Sequence, residues 1–89
     1  MRSLSRTSQF KKDVKKAEKR GKDLKKLRAV LNLLIDSKPL PESLRDHALQ
    51  GEFKGNRDLH IEPDWLLIYT LEQSHLRLER TGTHADLFR

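Results

Sequence analysis

The feature that most limits what this chain can fold into is a change in the spacing of its apolar residues. Up to residue 35 they recur every three or four positions: Phe10, Val14 and Ala17, then Leu24, Leu27, Leu31 and Leu34, supported by Val30 and Ile35. That spacing gathers them on one face of a helix. From Arg57 the period drops to two, with Leu59 and Ile61 pointing one way and Asp58, His60 and Glu62 the other. This is the pattern of a half-buried strand. Helices first and strands later imply an α+β domain, with a helical hairpin covering one face of a mainly antiparallel sheet.

Local signals sharpen the outline. Residues 2–6 alternate around Leu4 and read as an edge strand. Thr7 or Ser8 offers an N-cap oxygen to a first helix, Gly21 suits its end, and Asp23 is well placed at the positive start of a second. Pro39 and Pro41 close that helix. Residues 42–56 read as irregular, with Gly51 and Gly55 as turn points. Pro63 ends the strand that begins at Arg57, and Asp64 falls in the following turn. Trp65–Leu71 is apolar on both faces, as an interior strand requires. Leu76 and Leu78 alternate with Arg77 and Glu79 in a third strand, which Gly82 breaks, leaving residues 83–89 as a short tail. The leucine stripe fills the covered face of the sheet; His60 is expected to reach the open one.

Eighty-nine residues make one domain, since two separate cores would each be too small to fold unaided. The chain has no cysteine, which excludes disulfides, a thiolate nucleophile and cysteine-based zinc sites. Its longest apolar run, Trp65–Tyr69, is far short of the ~20 residues of a membrane span. The Arg/Ser-rich, acid-free start resembles a transit peptide, but it runs directly into a helix without a cleavage-type spacer, so a cytoplasmic location is expected. Residues 1–28 carry a balance of +9 and residues 29–89 a balance of −3. The first third therefore either faces a polyanion or an acidic protein, or is simply a solvated lysine-rich helix.

Three of the four histidines, His47, His60 and His84, lie in segments that converge on the sheet. Cleaving RNA without a metal needs a base for the ribose 2′-hydroxyl, an acid for the departing 5′-oxygen and cations for the charge on phosphorus. Histidine suits the first two roles because both of its forms are populated near neutrality. Arginine suits the third through its planar, permanently charged fork. Arg57, Lys54 and Arg80 supply nearby cations, and Trp65 or Phe88 can stack on a base. Each residue also has a plainer reading: His60 as a hydrogen-bonded surface residue, Trp65 as core, Asp64 as a turn former. His75 falls in a turn and receives no role. A zinc site from His60, Glu62 and Asp64 would need the strand to continue through Pro63, and no compact His-x-x-x-His motif exists. No cofactor is called for.

Three stretches carry a resemblance to a known family: HALQG at His47–Gly51, KGNRDLHIEPDWLLIY at Lys54–Tyr69 and ERTGTHADLF at Glu79–Phe88. They resemble the YafQ branch of the RelE/ParE superfamily, mRNA interferase toxins of bacterial type II toxin–antitoxin systems. The two helices of residues 8–37 match in order and length, so the resemblance covers nearly the whole chain, residues 1–89, as a single toxin domain. It implies a RelE-like microbial RNase fold and ribosome-dependent endoribonuclease cleavage of mRNA in the decoding site, through 2′-hydroxyl attack. The products would carry a cyclic or 3′-phosphate and a 5′-hydroxyl. It places His84 as the principal proton-transfer residue, with His47 and His60 sharing acid/base or phosphate-binding work in an order left open. Asp64 would orient a histidine or contact the nucleotide, Trp65 and Phe88 would place the scissile nucleotide, and Arg80 would serve as a phosphate ligand. The basic first helix would face ribosomal RNA. Ala48, where relatives commonly carry proline, and Asn56, at a site often aromatic, depart from the family pattern without removing a catalytic group. The resemblance further implies a cognate antitoxin that wraps the toxin and brings it to operator DNA only as a complex, with no membrane partner. Two rivals stand beside this reading: a ParE-type gyrase poison, which shares the fold but not the nuclease site and against which the three histidines argue, and a catalytically inactive ribosome- or RNA-binding module.

Overall fold

The computed structural model describes residues 1–49 and 55–88. In chain order these form β1 (Ser3–Arg6), α1 (Ser8–Lys19), α2 (Leu24–Ile35), a 3-10 turn (Glu42–Leu44), β2 (His47–Ala48), β3 (Arg57–Glu62), β4 (Trp65–Leu71), β5 (His75–Gly82) and α3 (His84–Phe88). The strands make one sheet in the order β1-β5-β4-β3-β2. β1 runs parallel to β5, and every other pair is antiparallel.

The helix boundaries follow from short-range chemistry. The Thr7 hydroxyl accepts the Phe10 amide at 3.0 Å, and the Asp23 carboxylate accepts the Lys25 amide at 2.9 Å, each satisfying a donor that the helix start leaves open. Gly21 takes φ 85° between the helices, a conformation in which a Cβ is penalised. The apolar stripes then do what their spacing demands: Phe10, Ala17, Leu27, Val30 and Leu34 bury against Leu59, Trp65, Leu67, Tyr69, Leu76 and Leu78. One buried charge interrupts this layer. Asp13 on α1 accepts from Arg80 Nε at 2.9 Å, from its Nη2 at 3.2 Å and from the Thr81 amide at 3.2 Å, so the carboxylate is neutralised where it is desolvated.

Four features differ from the sequence reading. The segment expected to be irregular contains a 3-10 turn and the two-residue strand β2, while residues 50–54 lie outside the described residues. His75 is the first residue of β5 rather than part of a turn, its ring nitrogens 2.6 and 2.8 Å from the hydroxyls of Ser3 and Ser5. The expected tail is a helix, α3. That helix lays Leu87 on Leu66 and Ile68 in a second small core with Leu49 at its margin, so the face opposite the hairpin is covered at one end. Leu66 and Ile68 are buried for this reason, and β4 is apolar on both faces because two layers sandwich it.

Candidate active site

The residues of interest assemble on the sheet face away from the hairpin. Asp58 and His60 are two apart on β3 and share that face, while Leu59 between them belongs to the hairpin-side core. His47 on β2 is the cross-strand partner of Asp58. His84 opens α3 directly after β5, and its ring centroid lies 5.5 Å from that of His60, the planes tilted by 46°. Phe88, one helical turn on, has its ring centroid 6.5 Å from His84. Three imidazoles from three elements, distant in sequence, thus meet at one end of the open face.

Two carboxylates organise them. Asp64, in the β3–β4 turn, accepts from His84 Nδ1 at 2.6 Å and from the His84 amide at 2.9 Å, both on Oδ1. The hydrogen bond from the amide, and then the one from the ring, hold the Asp64 carboxyl below its usual range. With Nδ1–H given to Asp64, Nε2 is the nitrogen left to meet a substrate. The second carboxylate, Asp58, was not singled out from the sequence. It is only 3% exposed and lies under the cluster. His47 Nδ1 sits between the Arg45 carbonyl at 2.8 Å and Asp58 Oδ1 at 3.0 Å. Its alignment favours the carbonyl, so Asp58 Oδ1 is buried without a hydrogen bond, as is His60 Nδ1. Burial pushes the Asp58 carboxyl up, and positive charge on His47, His60 and His84 opposes that rise. The one sequence signal for Asp58 was its place two residues before His60 on the polar side of an alternating strand.

Several expected site residues are elsewhere. Trp65 is 1% exposed, inside the hairpin-side core, and donates from Nε1 to Thr81 Oγ1 at 3.0 Å. It is therefore a core residue and not a surface for a base. Arg57 projects on the hairpin side, one residue out of phase with Asp58, and binds Asp46 at 2.7 Å. Burial, and then a hydrogen bond to that same carboxylate, raise the pKa of the neighbouring Tyr69 hydroxyl. Arg80 is forked onto Asp13. Neither arginine faces the histidines. Lys54 lies outside the described residues. Glu62 is turned away as well: a register shift between His60 and Glu62 breaks the alternation, and its carboxylate binds Lys22 at 2.9 Å and Lys26 at 2.8 Å. No group of three His, Cys, Asp or Glu side chains among the described residues has the arrangement of a metal site. No helix among them is long and apolar enough to cross a membrane.

What remains together is His47, His60, His84, Asp58, Asp64 and Phe88. Imidazoles at this spacing can take and give protons on opposite sides of one small group, a carboxylate fixes the orientation of the His84 ring, and an aromatic side chain 42% exposed stands beside it.

Residues 2–89 match the family described as bacterial toxin of type II toxin-antitoxin system, YafQ. The chain is 54% identical over 88 residues to the mRNA interferase toxin YafQ of Escherichia coli K12, covering 98% of this chain and 96% of that protein. It superposes with TM-score 0.92 on the toxin of the E. coli DinJ-YafQ complex, at 53% identity and full coverage of both chains. A metal-bound toxin from Helicobacter pylori is similar at 38% identity and TM-score 0.91, covering 99% of this chain and all of that one.

Proposed function

The chain belongs to the YafQ family of toxins from type II toxin–antitoxin systems, and from that premise we propose that it cuts messenger RNA on the ribosome by imidazole acid/base chemistry. It is an endoribonuclease of the mRNA interferase class. The observation that carries the mechanism is the pairing of His60 and His84 at 5.5 Å with His84 held by Asp64. A phosphodiester between those rings puts the 2′-hydroxyl near one nitrogen and the 5′-oxygen near another. One imidazole removes the 2′-proton, the 2′-oxygen attacks phosphorus, and a second imidazole protonates the 5′-oxygen as its bond to phosphorus breaks. The products are a 2′,3′-cyclic phosphate, opened by water to a 3′-phosphate, and a 5′-hydroxyl.

His84 is the principal proton carrier because its orientation is fixed and Nε2 is free to face the substrate. His47 and His60 divide the complementary work. Asp58 beneath them offsets the positive charge that develops on the rings, and Phe88 stacks on a base to set the ribose. The exposed lysines of α1 meet ribosomal RNA, where phosphate contacts supply affinity. A cognate antitoxin wraps and silences the toxin, as the DinJ-YafQ complex of the relative suggests, and operator DNA is reached only through that complex.

The test uses antitoxin-free protein, ribosomes programmed with a defined message, and mapping of the new RNA ends. Cuts inside in-frame codons are expected, lost in His84→Ala while the circular dichroism spectrum and antitoxin binding persist, and unaffected by chelator. Intact message with accumulating gyrase–DNA adducts would replace this reading with the ParE-type one. Loss of cutting on chelation would move the chemistry onto a metal.

A further inference from the structure

The cleavage chemistry leaves one role unfilled. Attack on phosphorus adds negative charge to its non-bridging oxygens, and a cation near that charge lowers the barrier. The two arginines that sequence suggested are committed elsewhere, Arg57 to Asp46 and Arg80 to Asp13. The other described cations bordering the site are paired too: Lys22 and Lys26 with Glu62, Arg20 and Lys16 with Asp86.

Arg45 differs from all of these. It is exposed, and its guanidinium has neither a hydrogen bond nor a carboxylate partner among the described residues. Its backbone is tied to the site. It closes the 3-10 turn at φ 51°, ψ 43°, and its carbonyl accepts from His47 Nδ1 at 2.8 Å. Arg45 lines, together with His60 and Glu62, a cavity of about 370 Å³ between the 3-10 turn and the β3–β4 turn. The cavity has room for more than one ordered water, and His60 is the imidazole that borders it.

We infer that Arg45 is the phosphate ligand of this active site, its guanidinium holding a non-bridging oxygen of the scissile phosphodiester, or of the one next to it, against His60. The geometry has a mechanical logic. The left-handed turn at Arg45 sends the chain so that one residue offers its carbonyl to orient His47 and also borders the cavity. The same loop thereby sets one imidazole and supplies the charge. A guanidinium suits the role because it cannot lose its proton and can hold two phosphate oxygens at once. This assignment rests on the nuclease reading above.

Arg45→Ala and Arg45→Lys separate a transition-state contact from a docking contact. Single-turnover cleavage at saturating programmed ribosome is expected to fall on the order of 100-fold in Arg45→Ala, with the concentration for half-maximal rate little changed. Arg45→Lys recovers part of the loss, since a point charge replaces the fork. Because the side chain makes no hydrogen bond or ion pair among the described residues, the melting temperature should stay at the wild-type value. In a second measurement, inorganic phosphate titrated into the free protein shifts the His60 ring resonances in wild type and leaves them unmoved in Arg45→Ala. A full rate at saturation, with weaker and more salt-sensitive ribosome binding, would make Arg45 a ribosomal RNA contact and overturn the assignment. If wild type cuts no RNA, the nuclease reading fails and takes the assignment with it. If wild type cuts and Arg45→Ala cuts equally fast, only the assignment fails.

Discussion

Replacing Trp65 with phenylalanine separates a core tryptophan from a base-stacking one. The indole is 1% exposed and its Nε1 donates to Thr81 Oγ1, which donates onward to the Leu66 carbonyl at 2.6 Å. Phenylalanine keeps an aromatic face, so a stacking surface would largely survive the change. The core loses one buried hydrogen bond, about 1 kcal/mol, and two to three methylene-sized groups at about 0.8 kcal/mol each. The total is about 3 kcal/mol. For a domain of this size each kcal/mol moves the melting temperature by about 4–8 °C, so a drop of roughly 10–25 °C is expected. The assay is thermal unfolding followed by circular dichroism, beside single-turnover cleavage well below the lowered midpoint, where the rate should stay near wild type. An unchanged midpoint with slower cleavage would show that the ring acts on the substrate, and the packing argument would be wrong.

Two further predictions concern the carboxylates. Asp58 has its pKa raised above 3.8, chiefly by burial, so the folded state holds its proton more tightly than the unfolded chain. The associated stability is present at low pH and lost as pH rises through the folded value. Asp58→Asn is therefore expected to raise the neutral-pH melting temperature by a few degrees while slowing cleavage; a lower midpoint in pH-dependent melts would contradict this. Asp86 behaves in the opposite sense. The hydrogen bond from Arg20, followed by the Thr83 amide, holds it well below the usual carboxylate range, so its contribution is present above 3.8 and lost as pH falls below it. Asp86→Asn should melt lower than wild type at pH 7, with the gap narrowing on acidification; a gap constant across pH would exclude the ion pair as its source.

Much of the candidate site was legible because its polar residues are displayed by local rules. His60 lies on the polar side of an alternating strand, Asp64 in a turn after proline, and His84 just past the strand that Gly82 closes. Local order also predicts the helices, through the Thr7 and Asp23 caps and the leucine stripe. The misplaced residues share another cause. Arg80 finds Asp13 across 67 positions and Arg57 finds Asp46 across 11, and no short-range pattern reports which carboxylate will neutralise which arginine. Asp58 became visible only when β2 brought His47 over it.

By itself the sequence determined the two helices, the three later strands, the sides on which Leu59 and His60 project, and the family. Periodicity and capping act within a few residues, so they can be read along the chain. Only the tertiary structure decided that Trp65 is enclosed by the hairpin and that residues 84–88 form a helix over Leu66 and Ile68. It also decided which of the described cations near the histidines has no carboxylate partner among the described residues. Burial and ion pairing depend on what arrives from elsewhere in the chain, and the sheet order β1-β5-β4-β3-β2 sets those arrivals.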